Sequence, residues 1–233
     1  MKIVSKPQVA FLLLLVFVFI ATLFVSDNVP EITPSRDAQT QQGGGAAVNA
    51  LETLLVKGRS PKTGYERSEF GSGWESQSGC STRNEILLRD LENATVDENC
   101  FVLTGTLTDP YTGNIIAFVR GETSSQDVQI DHVVSLSDAW QKGAQQMDRQ
   151  ARVAFANDPL NLLAVDGLVN QQKSDGDAAT WLPPNKAYRC NYVARQIAVK
   201  QKYSIWVTEP EKRAMLGVLS ACPQHQLPVI DAS

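Results

Sequence analysis

Histidine is scarce in this chain: two in 233 residues, with no paired-histidine metal site in the sequence. The four cysteines include no Cys-x-x-Cys pair, which argues against a structural zinc knuckle. Gly-x-Ser-x-Gly and His-Glu-x-x-His are both missing, so nothing supports a serine hydrolase or a zinc peptidase. A surplus of positive charge is missing as well. The chain carries 21 Lys and Arg against 25 Asp and Glu, and a net charge of −4 weighs mildly against nucleic-acid binding. With 43% hydrophobic, 20% charged and 7% aromatic residues, the composition excludes collagen-like, wholly disordered and polytopic membrane classes. No internal repeat is evident.

What is present begins with an export signature. Residues 1–26 contain Lys2 and Lys6 and no acid, and in the seventeen residues from Val9 to Val25 only Thr22 is polar. A basic flank followed by a long apolar run is a secretion signal or a single membrane anchor. Seventeen residues sit at the lower edge of a spanning helix. A cleavage site after Ser26 fits poorly, because Phe24 stands at −3, where a small residue is wanted. On either reading the protein is secreted or anchored to the outer face of the membrane. Removing the two lysines of this segment, with no acids, takes the net charge from −4 to −6. Residues 27–46, with Pro30, Pro34 and Gly43-Gly44-Gly45, read as a flexible linker. Residues 47–226 read as a single domain, and 227–233 as a tail.

Cysteine usage agrees with export. Cys80, Cys100, Cys190 and Cys222 form an even set, as expected for two disulfides in an oxidising compartment. The last two helices meet in a turn near Trp206, and Cys190 and Cys222 each lie sixteen residues from it. Those positions face each other in an antiparallel helix pair, so the expected pairings are Cys190–Cys222 and Cys80–Cys100.

The periodicities predict an α+β fold. Val48, Leu51, Leu54 and Leu55 make a helical stripe over 47–56, ended by Gly58. Tyr65-x-Arg67-x-x-Phe70-Gly71-x-x-Trp74 is a loop rich in aromatics and glycine. A short helix follows at 82–91, capped by Ser81 or Thr82, then a hairpin of strands 101–107 and 115–119 about the turn Asp109 to Gly113. Residues 128–134 form a β-branched strand. A helix capped by Ser137, a second helix at 148–155, a strand at 161–165 and a turn into a helix at 166–173 come next. A long helix spans 185–203, and Thr208-x-Pro210-Glu211 is a capping box that opens a last helix ending near Cys222.

The chemistry concentrates around one histidine. His225 lies in a polar tail and reads as a surface residue. His132 follows Asp131 inside an apolar strand, where a polar pair is costly unless satisfied or used. By itself an Asp-His dipeptide is as a rule a structural hydrogen-bonded pair. Asp158-Pro159-Leu160-Asn161-Leu162 follows it, and then Asn170-x-x-Lys173 with Ser174-Asp175-Gly176-Asp177 behind.

This set resembles the HNH, or ββα-metal, nuclease superfamily. Asp131-His132-Val133-Val134-Ser135 and Asn170-Gln171-Gln172-Lys173-Ser174-Asp175 parallel the HNH domains of RNA-guided CRISPR effectors. Over about 65–222 the chain is similar to exported actinobacterial HNH proteins related to the C-terminal domain of GmrSD restriction enzymes. Ile130 to Val134, Leu136, Asp138-Ala139-Trp140 and Asn157-Asp158-Pro159-x-Asn161-Leu162 carry that likeness. Val134-Ser135 replaces a common Ile/Leu-Pro, a change to the turn. Asn170 stands where colicin-type members have a histidine.

The resemblance implies a ββα-metal core within a mostly helical domain carrying a short β-hairpin. It implies that His132 is the general base and that Asn161 bonds the backbone around it, with an ordinary turn asparagine as the plainer reading. Asp131 and Asn170 would hold one divalent ion. Their oxygen ligands favour magnesium, or else manganese, over zinc. Lys173, Arg67 and Arg83 are candidate phosphate contacts. So is the basic stretch from Ala178 to Thr208, with Lys186, Arg189, Arg195, Lys200 and Lys202 and no acid, which otherwise reads as a solvated helix face. The expected partner is nucleic acid, DNA rather than RNA, acted on by a monomer with little sequence preference, since no reader module is visible. The alternatives are an HNH-fold nucleic-acid-binding protein at the cell surface without cleavage, and a secreted hydrolase of another class.

Overall fold

The computed structural model describes residues 45–77, 79–121 and 124–228, all within one compact unit spanning 43–233. The export segment, the linker up to residue 44 and the end of the tail lie outside the described residues. Among the described residues no helix is long and apolar enough to cross a membrane.

Among the described residues seven α-helices and three small antiparallel sheets alternate along the chain, the α+β mix expected. α1 (Ala46–Thr53) buries Ala47, Ala50 and Leu51. The strands β1 (Ser76–Gln77) and β2 (Cys80–Ser81) form a minimal pair before α2 (Thr82–Asp90). β3 (Glu92–Val96), β4 (Val102–Thr108) and β5 (Ile115–Val119) make a three-stranded sheet in chain order. β6 (Val128–His132) pairs with β7 (Leu162–Asp166) in the register His132 opposite Leu162. Between these two strands lie α3 (Leu136–Gln141) and α4 (Arg149–Asn157), and β7 runs directly into α5 (Gly167–Lys173). α6 (Arg189–Lys202) and α7 (Glu209–Leu219) close the unit.

Local chemistry explains most of the boundaries. Asp148 caps α4 through Ala151 N–H, Asp166 caps α5 through Val169 N–H, and Thr208 with Glu211 forms the capping box of α7. The cap of α3 is Ser135, which accepts from Asp138 N–H, rather than Ser137. Ser137 is the second residue of the helix, and its hydroxyl donates to Asp175 at 3.0 Å. The helix expected over 185–203 starts as a single 3₁₀ turn at Lys186–Tyr188, because Asn185 is tied to the 109–113 turn by bonds to the Tyr111 and Pro110 carbonyls. β3 was not foreseen. It is a bulged edge strand with no buried residue, so it carries no apolar alternation to read.

Both disulfides pair as expected. Cys80–Cys100 joins β2 to the loop before β4, and Cys190–Cys222 joins the first turn of α6 to the end of α7.

Three apolar clusters surround the β6–β7 hairpin. One packs Tyr111, Val133 and Val165 against α1, α6 and α7, a second holds Phe70, Trp140 and Phe155, and the third joins α2 to the three-stranded sheet. Between the first two lies a buried ion network. Lys142 Nζ donates to Asp138, Asp177 and Glu211 within 3.0 Å, Lys200 lies 3.0 Å from Glu211, and Arg59 pairs with Asp138 and Asp177 at 2.8 Å. Three acids meet three bases, so the set is neutral, and neither lysine is exposed.

Burial alone would raise the Asp177 carboxyl, but Lys142, with Arg59 and Lys200 behind it, holds it down at about 2 against an ordinary 3.8. A depressed acid stabilises the fold above its unfolded pKa and loses that contribution as pH falls through its folded one. Stability worth about 2 kcal/mol from this group should therefore disappear between about pH 4 and pH 2. Thermal unfolding against pH checks this: Asp177→Asn should lower Tm clearly near pH 6 and hardly at all near pH 2. Lys142→Met, which takes one buried partner from each of three carboxylates and leaves them to Arg59 and Lys200, should cost about 3–5 kcal/mol.

Candidate active site

β6 ends in Asp131-His132, and the return strand begins just after Asn161. The fold holds this junction by backbone and side chain together. Asn161 is fully buried; its carbonyl accepts from Val133 N–H at 2.8 Å and its Oδ1 from Val134 N–H at 2.8 Å. Its Nδ2 donates back to the Val134 carbonyl at 3.2 Å. One residue thus fixes the two that follow His132, Val133 through its backbone and Val134 through its side chain.

His132 is 7% exposed, with Nε2 2.9 Å from the Ala156 carbonyl at the end of α4. A carbonyl only accepts, so Nε2 carries the proton and the neutral ring has its lone pair on Nδ1. The Trp74 indole lies parallel to the imidazole, 7° off, with centroids 5.6 Å apart. Burial is the main cause that lowers the His132 pKa to about 4. The Ala156 bond and Asp131 oppose it, while Arg67 and Lys173 reinforce it. His132 is therefore neutral, with a free basic nitrogen, across the neutral pH range.

Asp131 is held on both oxygens. Lys173 Nζ donates to Oδ1 at 2.9 Å and the Tyr111 hydroxyl to Oδ2 at 2.5 Å. Burial first, and then the Asp131 charge, push the Tyr111 phenol well above its ordinary range, so it remains a donor. Lys173 also donates to the His132 carbonyl at 2.9 Å.

Asp131, His132 and Asn170 line one polar pocket of about 480 Å³, with Lys62, Arg67 and Asp175 at its rim. Asn170 Nδ2 donates to Gln129 Oε1 at 2.9 Å, which leaves the amide oxygen for another partner. A carboxylate has about four acceptor sites, of which Asp131 uses two, so lone pairs remain there too. One carboxylate and one amide oxygen on a polar wall fit a hard, oxygen-liganded cation such as magnesium. No group of three His, Cys, Asp or Glu among the described residues is placed to hold an ion unaided. Water and phosphate would supply the other ligands.

Three expectations need correction. Lys173 has no exposed side-chain surface and is paired with Asp131, so it is no free phosphate contact. Arg83 does not line the pocket; it donates to the Val128 and Ser125 carbonyls, at the end of β6 opposite His132. The basic stretch is largely spent within the fold. Arg189 and Arg195 donate to the Pro183 and Leu160 carbonyls, Lys200 is buried against Glu211, and Lys202 pairs with Asp158 at 2.6 Å. Arg67 is the one candidate cation that reaches the pocket, and it forms no ion pair with another described residue. The reading from sequence missed Tyr111, which looked like a turn residue, and Trp74, whose only signal was the aromatic loop around it. His225 is half-buried, and its backbone binds Ala47 and Cys222.

The family model for "GmrSD restriction endonucleases, C-terminal domain" matches residues 81–218. An "Uncharacterized secreted protein" of Arthroderma benhamiae is 36% identical over 209 residues, which cover 88% of this chain and 99% of that protein. No solved structure matches.

If Asn161 locks the turn after His132, Asn161→Ala strands buried backbone groups of Val134. The expected loss is about 2–4 kcal/mol in urea unfolding, one to two unsatisfied groups' worth. Asn161→Asp keeps an acceptor for Val134 N–H but loses the donor to its carbonyl, and should fall between the two.

Proposed function

The chain belongs to the family of GmrSD restriction endonuclease C-terminal domains, and on that premise we propose that it is an exported HNH-type nuclease hydrolysing phosphodiester bonds of DNA with little sequence preference. The observation that carries the chemistry is the bond from His132 Nε2 to the Ala156 carbonyl at 2.9 Å. It fixes the tautomer, orients the ring and leaves Nδ1 as the base for a water beside the polar pocket. Arg67 at the rim holds the phosphate. Asp131 and Asn170 would hold one divalent ion, magnesium first and manganese second, which would supply charge compensation at the phosphate and the departing 3′ oxygen. Asn161 keeps the base in place through Val134, and Lys173 acts on Asp131 rather than on substrate. Export is supported by the N-terminal apolar segment, by two disulfides and by the secreted relative.

A metal titration separates the roles. In plasmid cleavage His132→Ala should lose about 10²–10⁴-fold at every ion concentration, the usual worth of a positioned base. Asp131→Ala and Asn170→Ala should recover part of their activity at high magnesium or manganese, because mass action offsets a lost ligand and cannot replace a base. Rescue of His132→Ala by metal would reverse the assignment, and normal cleavage by all three would move the active site elsewhere.

A further inference from the structure

On the other side of His132 from Asp131 lies a second cavity, of about 180 Å³, which the proposed chemistry does not use. Phe70, Trp74, Leu136 and Ala156 give it apolar walls, and His132 and Arg67 border both this cavity and the polar pocket. Phe70 is buried in an aromatic cluster with Trp140 and Phe155, which makes it a rigid floor. The loop that carries Trp74 is anchored as well. Glu75 N–H donates to Asn157 Oδ1 at 3.0 Å, and the Glu75 carbonyl accepts from Thr82 N–H at 2.8 Å.

Two glycines shape the loop between Phe70 and Trp74. Gly71 and Gly73 have φ of 110° and 149°, values that other residues rarely adopt. A Cβ at Gly73 would meet nothing within 4 Å, so that side of the loop is open space. The result is a small cavity beside the stacked Trp74–His132 pair, with Phe70 and Leu136 as further apolar walls and Arg67 as its cation.

We propose that this cavity is a nucleobase subsite. Resting on the nuclease reading for its neighbour, it takes the base of a nucleotide adjoining the scissile phosphate beside the Trp74–His132 pair, on indole surface that His132 does not cover, while Arg67 contacts that phosphate. Every base has a π-face, and stacking on an aromatic side chain is tolerant of sequence. In an intact duplex the base is paired and stacked, and reaching the cavity requires its extrusion. The substrate class is therefore single-stranded or locally unpaired DNA, in preference to regular duplex.

Binding tests this apart from cleavage. In chelator, affinities are measured for a short single-stranded oligodeoxynucleotide, its duplex, and a strand of equal length made entirely of abasic sites. The single strand should bind at least about fivefold more tightly than either of the others. Trp74→Ala should erase the difference between based and abasic strands, Trp74→Phe should keep most of it, and Arg67→Ala should weaken all three alike. An abasic strand that binds wild-type protein as well as the normal strand overturns the subsite, as does a base-dependent difference that survives Trp74→Ala. Hydrolysis of bis(p-nitrophenyl) phosphate with magnesium tests the chemistry without any nucleobase. Turnover there with no base-dependent binding removes the subsite and keeps the nuclease; base-dependent binding without turnover does the reverse.

Discussion

The ion pair between Lys173 and Asp131 is the contact on which the site's construction rests. It joins the last residue of α5 to the penultimate residue of β6, and the same ammonium reaches the His132 carbonyl. A carboxylate 5% exposed is tolerable in an apolar hairpin only if it is paired and hydrogen-bonded, and Lys173 with Tyr111 meets both conditions. The consequence is electrostatic. Asp131 is compensated from within by Lys173, and Asp175 on the same pocket is paired with Lys62 at 3.4 Å. Arg67, on the segment before β1, is then the pocket's cation without an ion pair among the described residues.

Behind that pair, the six-member network of Arg59, Asp138, Lys142, Asp177, Lys200 and Glu211 repeats the device on a larger scale. Buried ion pairs add little net stability over well-packed apolar groups. What they impose is placement, because any shift of α3, α6 or α7 leaves a charge unpaired in a dry interior. Asp177 and Asp175 follow α5 closely. Asp175 reaches back to Ser137 and Lys62, so the chain beyond Asn170 and Lys173 is pinned on two sides.

The strands around His132 and the helices between them were legible because one-sided burial writes itself as alternation or as a helical stripe. Disulfide pairing was legible because a helix hairpin converts sequence distance into spatial distance. What the residues did not disclose was who partners whom. Lys173 near the end of a short helix reads as a phosphate contact or a surface lysine, and only the packing turns its ammonium inward. Lys200 did leave a signal: Tyr192, Gln196 and Lys200 recur every four residues, on the face of α6 that the structure buries. β3 left none, since a bulged edge strand facing solvent has no periodic demand to satisfy.

The parts of the site differ in how they are held. His132, Asp131 and Asn161 sit on the hairpin and are fixed by buried hydrogen bonds. Arg67 and Trp74 sit on a loop without regular structure beyond one 3₁₀ turn at Arg67–Phe70. That loop runs into β1, β1 pairs with β2, and β2 begins at the Cys80–Cys100 bridge. The bridge therefore ties the C-terminal end of that loop, through β1 and β2, to the loop before β4. Forming it takes an oxidising environment, whereas the hairpin residues are held by buried hydrogen bonds that no redox change touches.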